Sequence, residues 1–145
     1  MVPDFELDGN LPPGIYLASW DEFATHFGWN AHRAGLLAGL EAGIECLQIA
    51  GCSTVFVDGS FVTKEEFPVD FDVAWDPTGV DLASLMIVEP VFFDFKNFRA
   101  NQKAKYGGEF FPSSVTADLM GNTFLEFFQK DKHTAAPKGI IQINT

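Results

Sequence analysis

Basic residues are scarce in this chain. Nine Lys and Arg stand against 20 Asp and Glu, a formal net charge of −11. A field of that sign repels a nucleic-acid backbone and disfavours general DNA or RNA binding. It leaves room for a mononucleotide whose phosphates a divalent cation neutralises, for a basic partner protein, or for a homodimer. Cysteine is nearly missing: Cys46 and Cys52 lack metal-like spacing and read as reduced thiols in a cytoplasm. His26, His32 and His133 are scattered without ligand spacing, which argues against zinc. No run approaches the ~20 apolar residues of a membrane span, and the opening MVPDFELDGN is acidic, unlike a signal peptide. Gly-x-Gly-x-x-Gly, Walker A and Gly-x-Ser-x-Gly patterns are also missing, so dinucleotide, P-loop and serine-hydrolase chemistries find no support.

What is present is a core. The 145 residues are 47% apolar and include 16 phenylalanines, enough for one domain with an ordinary interior. Residues 1–18, with Pro3, Pro12 and Pro13, predict an extended arm. Ser19 and Glu22 form a capping box for a helix ended by Gly28, and Asn30 caps a longer one to about Ala50. In that longer helix Gly35, Gly39 and Gly43 fall every fourth residue, which invites close approach of another backbone. Strands are expected at 54–58 and 71–75, a short helix after Asp81, and a buried strand at 91–94 behind Pro90. Asp94 is expected to cap a helix over 96–106, with a strand following at 109–111. Residues 113–121 read as loop, Asn122 or Thr123 as the cap of another helix, 130–138 as a polar hairpin-like loop and 139–143 as a closing strand. The sum is an α/β (α+β) fold: a small mixed β-sheet flanked by helices.

The chemistry concentrates in TVFVDGSFVTKEEFPVDFDVAWD, residues 54–76. Asp70 and Asp72 are two apart on a strand and share one face, while Phe71 and Val73 take the other. Neighbouring carboxylates without a base beside them repel unless a cation lies between them. Mg²⁺ (or Mn²⁺) is usually held by one or two carboxylates together with substrate phosphates. Gly59 and Ser60, past the first strand, offer backbone amides and a hydroxyl to an anion. Lys64 is the only base in the intervening loop, either a phosphate contact or a solvated side chain. Arg99 and Lys103, four apart on the expected helix, share a face suited to a triphosphate or to an acidic patch of the protein itself. Each feature alone has an ordinary reading as a turn or a solvated face; together, in this order, they point to nucleotide chemistry.

Gly59-Ser60, nine residues, then Asp70-Phe71-Asp72-Val73 resembles the signature of the polymerase-beta-like nucleotidyltransferase superfamily. One departure is Asp58, where that pattern prefers an apolar residue; it is an extra metal or base group, or a strand-end residue. DGSFVTKEEFPVDFDVAWD, RANQKAKYGGEFFP and FLEFFQKDKHTAAPKGI together resemble the small bacterial DUF6932 (nucleotidyltransferase-like) family over most of the chain. The resemblance implies a Mg-dependent enzyme that transfers a nucleotidyl group from an NTP to an acceptor (protein, RNA or small molecule), of the minimal kind often found in toxin–antitoxin pairs. In that scheme Asp70 and Asp72 bind metal, Gly59 and Ser60 hold phosphate, and Glu109, with Asp94 as rival, is the third acid that binds metal or takes the acceptor's proton. The alternative it leaves open is an inactive, antitoxin-like binding module.

Overall fold

The computed structural model describes residues 1–145. Five strands form one mixed sheet: β1 (Gly14–Ala18), β2 (Thr54–Asp58), β3 (Phe71–Trp75), β4 (Gly108–Pro112) and β5 (Gly139–Asn144). Their spatial order is β1-β5-β2-β3-β4. The outer pairs β1–β5 and β3–β4 are parallel, and the inner pairs β5–β2 and β2–β3 antiparallel. Five helices accompany it: α1 (Trp20–Phe27), α2 (Ala31–Ile49), α3 (Leu82–Val88), α4 (Lys96–Tyr106) and α5 (Phe124–Phe128). None is long and apolar enough to cross a membrane.

Alternation along the strands separates the two faces. Val55 and Val57 of β2, Phe71, Val73 and Trp75 of β3, Phe110 of β4 and Ile141 and Ile143 of β5 join the larger core with Phe23, Phe27, Leu40, Leu47, Leu85 and Phe92. The opposite face carries a smaller apolar cluster of Phe56, Ala74, Phe111, Ile140 and Phe128. Ser19 and Asn30 cap α1 and α2 as their positions suggest, accepting from the amides of Glu22 and Arg33. Gly39 is where α2 meets α4: a Cβ there would lie 1.9 Å from the Tyr106 carbonyl oxygen. Thr123 and Glu126 close a reciprocal capping box on α5.

Three expectations are corrected. The last five residues of the N-terminal arm form β1, pairing with β5 from the far end of the chain; a partner about 125 residues away leaves no local trace in the sequence. Residues 91–94 hold no strand. Pro90–Phe93 is a 3-10 turn, with Pro90 at its start, where a fixed φ favours helical entry, and the Glu89 carboxylate accepting from Val91 N–H. Finally, the 96–106 helix is not continuous: Asn97, Phe98 and Arg99 wind left-handed at φ 51°, 55° and 60°. Arg99 and Lys103 therefore share no helical face.

Candidate functional site

Asp58 of β2 lies directly opposite Asp72 of β3, and Asp72 directly opposite Glu109 of β4. All three sit on the face away from the large core. Asp70, two residues before Asp72, precedes β3 on the same side. The next row inward on this face is Phe56–Ala74–Phe111, which α5 covers through Phe124 and Phe128. A hydrophobic row is thus roofed by a helix, and the acid row beyond its edge lies outside that helix, with Lys138 packed over Asp58.

Gly59 turns the chain at the end of β2 with φ +86°, a conformation that favours glycine. A Cβ at this position would lie 2.9 Å from Asp72 Oδ2, so the bend and the carboxylate are in contact. The bend continues into a 3-10 turn, Ser60–Val62. Arg33, fully buried in α2, holds this segment. Its guanidinium donates to the carbonyls of Phe27, Phe61, Thr63 and Glu65 and lies 3.6 Å over the Trp29 ring. Burial lowers its pKa to about 10, still charged at neutral pH. Arg33 is absent from the sequence-based candidates, since a lone Arg inside a helix carries no local sign that it braces a loop some thirty residues on.

A cleft of about 680 Å³ opens over this bend, within the range of small-molecule sites. It is lined by Asp58, Gly59, Ser60, Asp70 and Asp72 together with Lys64, Lys130, Lys132 and Lys138. Four of the chain's nine basic residues therefore face one acid-rich hollow, in a protein of net charge −11. Lys130, Lys132 and Lys138 come from the tail hairpin, closed by a Lys130–Pro137 bridge and tied to the N-terminal arm by Asn10 Nδ2 donating to Asp131 Oδ2 at 2.9 Å.

The acids are under electrostatic load. Burial pushes the Asp58 carboxyl up, and Lys138, 2.8 Å from its Oδ1, opposes this. Asp72 is pushed up to about 8, first by burial and then by Asp58, Asp70 and Glu109. Asp70 is raised by burial, partly offset by the charge of Lys103.

Some candidates stand elsewhere. Glu109 keeps its place in the row but does not line the cleft; it pairs with Lys103 at 3.1 Å. Arg99 packs its guanidinium 4.1 Å over Phe111 and 4.7 Å from Phe95, outside the cleft, with its charge felt by Glu109 and Asp72. Asp94 is occupied in the turn before α4, accepting from Lys96 N–H and Asn101 Nδ2, and does not line the cleft.

No three His, Cys, Asp or Glu side chains converge closely enough to enclose an ion. The donor chemistry still fits Mg²⁺ or Mn²⁺. The donors are hard oxygens, Asp58 and Asp72 are adjacent, and Asp70 lines the same cleft. Such an open-sided set suits an ion that completes its shell with water and phosphate.

The sequence model of a family described as a family of unknown function, DUF6932, matches residues 3–144. No curated protein and no solved structure matches the chain.

Proposed function

The chain belongs to the DUF6932 family, and from the geometry of its cleft we propose that it is a divalent-metal-dependent nucleotidyltransferase of the polymerase-beta-like kind. The observation that carries this reading is the register of Asp58 opposite Asp72 across β2 and β3, with Asp72 against the Gly59 bend and Asp70 beside it in the same cleft. A row of acids with lysines on its other flank is a bipolar site, suited to a ligand that is a cation at one end and a polyphosphate at the other. Asp72 with Asp58 or Asp70 would hold Mg²⁺ or Mn²⁺, which when bound neutralises the phosphates and stabilises charge on the oxygens around phosphorus.

The protein's own groups supply the rest. The Ser60 hydroxyl and the amides of the bend hold a non-bridging phosphate oxygen, and Lys64, Lys130 and Lys132 offset the charge of the departing pyrophosphate. An acceptor hydroxyl on RNA, a protein or a small molecule attacks the α-phosphorus. The new P–O bond forms as the bond to the β-phosphate oxygen breaks, and pyrophosphate leaves with that electron pair. Glu109 takes the hydroxyl proton; its partner Lys103 is 40% exposed, so the ion pair opens at little cost.

A second reading, a nucleotide-binding module without transfer, is favoured by one observation: Glu109 is engaged by Lys103 and stands outside the cleft. Titration calorimetry with ATP, CTP, GTP and UTP in Mg²⁺, followed by incubation with α-³²P-labelled nucleotide and cell extract, tests the proposal. Metal-dependent binding lost in Asp70→Ala/Asp72→Ala, with label on an acceptor, supports the enzyme. Binding without transfer supports the module, and binding of no nucleotide overturns both.

A further inference from the structure

Lys138 is a cation built into the acid row. Its side chain is 12% exposed and that of its partner Asp58 5%, far more buried than the Lys103–Glu109 pair. Its position is fixed at both ends. It precedes β5 directly, two residues before Ile140, which packs in the small apolar cluster. Its own amide donates to Gln129 O at 2.8 Å, closing the base of the hairpin. The ammonium is thus delivered by a framed segment to the point where a metal ion would sit.

We infer that Lys138 is a resident counter-ion of the acid row, displaced from Asp58 by a divalent cation and then turned onto the phosphates that the cation carries. This rests on the reading of the cleft as a metal-nucleotide site. The buried Asp58 carboxylate, crowded by Asp72 in register with it, needs a positive charge nearby, because an unpaired buried charge is strongly unfavourable; without metal, Lys138 supplies it. A divalent ion at Asp58 and Asp72 satisfies the same oxygens and repels the ammonium. The flexible four-carbon stem of lysine lets the head group swing, and a phosphate oxygen in the same cleft gives it a new partner. Metal alone must then compete with Lys138, whereas metal with polyphosphate gains from it, so the two bind with positive coupling.

The test uses Mn²⁺ and tripolyphosphate, which need no knowledge of the base. Mn²⁺ binding is read by electron paramagnetic resonance, and binding of the Mn²⁺–tripolyphosphate complex by calorimetry. The proteins are wild type, Lys138→Met and, as a control for the loss of one positive charge, Lys96→Met at an exposed position away from the cleft. Lys138→Met is expected to bind Mn²⁺ alone about tenfold more tightly than wild type and the complex about tenfold less tightly, with Lys96→Met like wild type. Because removing Lys138 strands Asp58, a second measurement uses wild type alone: acetylation of Lys138 by a water-soluble ester, followed by mass spectrometry, is expected to quicken severalfold when Mn²⁺ is added. Mn²⁺ affinity unchanged or weakened in Lys138→Met, an equal gain in Lys96→Met, or acetylation of Lys138 unmoved by bound Mn²⁺ would each overturn the inference while leaving the metal site standing. No Mn²⁺ binding by any of the proteins removes the site and the inference together.

Discussion

Asp58 and Asp72 face one another across the antiparallel β2–β3 pair, on the side of the sheet where the neighbouring row is roofed by α5. Strand pairing alone brings the two carboxylates together. Val57 and Val73, the pair beside them, are committed to the large core, so slipping the register by one residue would bury the acids and expose the valines. The hydrophobic core therefore fixes the acids' position, and their repulsion is a cost that the fold imposes on itself.

That cost has a pH signature. The Asp72 carboxyl, raised to about 8 from an ordinary 3.8, keeps a proton in the folded state that the unfolded chain has already released. Between about pH 4 and pH 8 the folded state binds more protons, so stability in metal-free buffer falls as pH rises through that window and levels off above it. Asp72→Asn removes the share of the slope that Asp72 contributes, leaving that of Asp58 and Asp70. In urea unfolding with EDTA the variant is expected to gain on wild type between pH 5 and pH 8, by on the order of 2–5 kcal/mol at the upper end. An unchanged difference between the two pH values would count against a buried, crowded Asp72.

Gly59→Ala tests the contact between bend and acid. The new methyl meets Asp72 Oδ2 at 2.9 Å in a backbone of φ +86°. With ψ −171° this backbone lies in a region essentially confined to glycine, which alone costs a side chain on the order of 1–3 kcal/mol, and Asp72 must also move. Gly121→Ala is the matched control, with φ +83° and nothing within 4 Å. Both substitutions are expected to lower the melting temperature, and only Gly59→Ala to weaken Mn²⁺ binding, by tenfold or more. Equal effects of the two on metal would separate the bend from the site.

Arg33→Met removes the brace under the 60–65 segment. Four carbonyls lose a charged donor inside the protein, so a loss of about 3–5 kcal/mol is expected in denaturant titrations. Hydrogen exchange of the 60–66 amides should quicken beyond what global destabilisation accounts for. Protection that falls uniformly along the chain would show that Arg33 supports the core and not the loop.

Glu109→Gln distinguishes transfer from binding. A loss of about 10²–10⁴-fold in nucleotidyl transfer with nucleotide affinity within threefold is expected of a proton acceptor. A parallel loss of affinity would make Glu109 a metal ligand instead.

How much of this the sequence displays depends on the range of each cause. The shared face of Asp70 and Asp72, the Gly59 bend and the caps at Ser19, Asn30 and Thr123 are local, and all can be read from a few neighbouring residues. The place of Asp58 beside Asp72 requires knowing that β2 and β3 pair in that register, which their alternation permits but does not dictate. Lys138 reaches Asp58 only because β5 inserts between β1 and β2, a topology set by the whole sheet. The helical pairing expected of Arg99 and Lys103 gives way because three residues before Ala100 wind left-handed, with Arg99 stacked on Phe111 and Phe95. The short apolar run at 91–93 has no period long enough to distinguish strand from turn, and Pro90 tips it to the turn.

The most direct measurement is the anomalous difference density of a crystal grown with Mn²⁺ and a nucleoside triphosphate that resists hydrolysis. A manganese peak within about 2.3 Å of oxygens from Asp58 or Asp70 and from Asp72, with phosphates over Gly59-Ser60, is the expected result. Manganese bound elsewhere, with Lys138 still on Asp58, would contradict it.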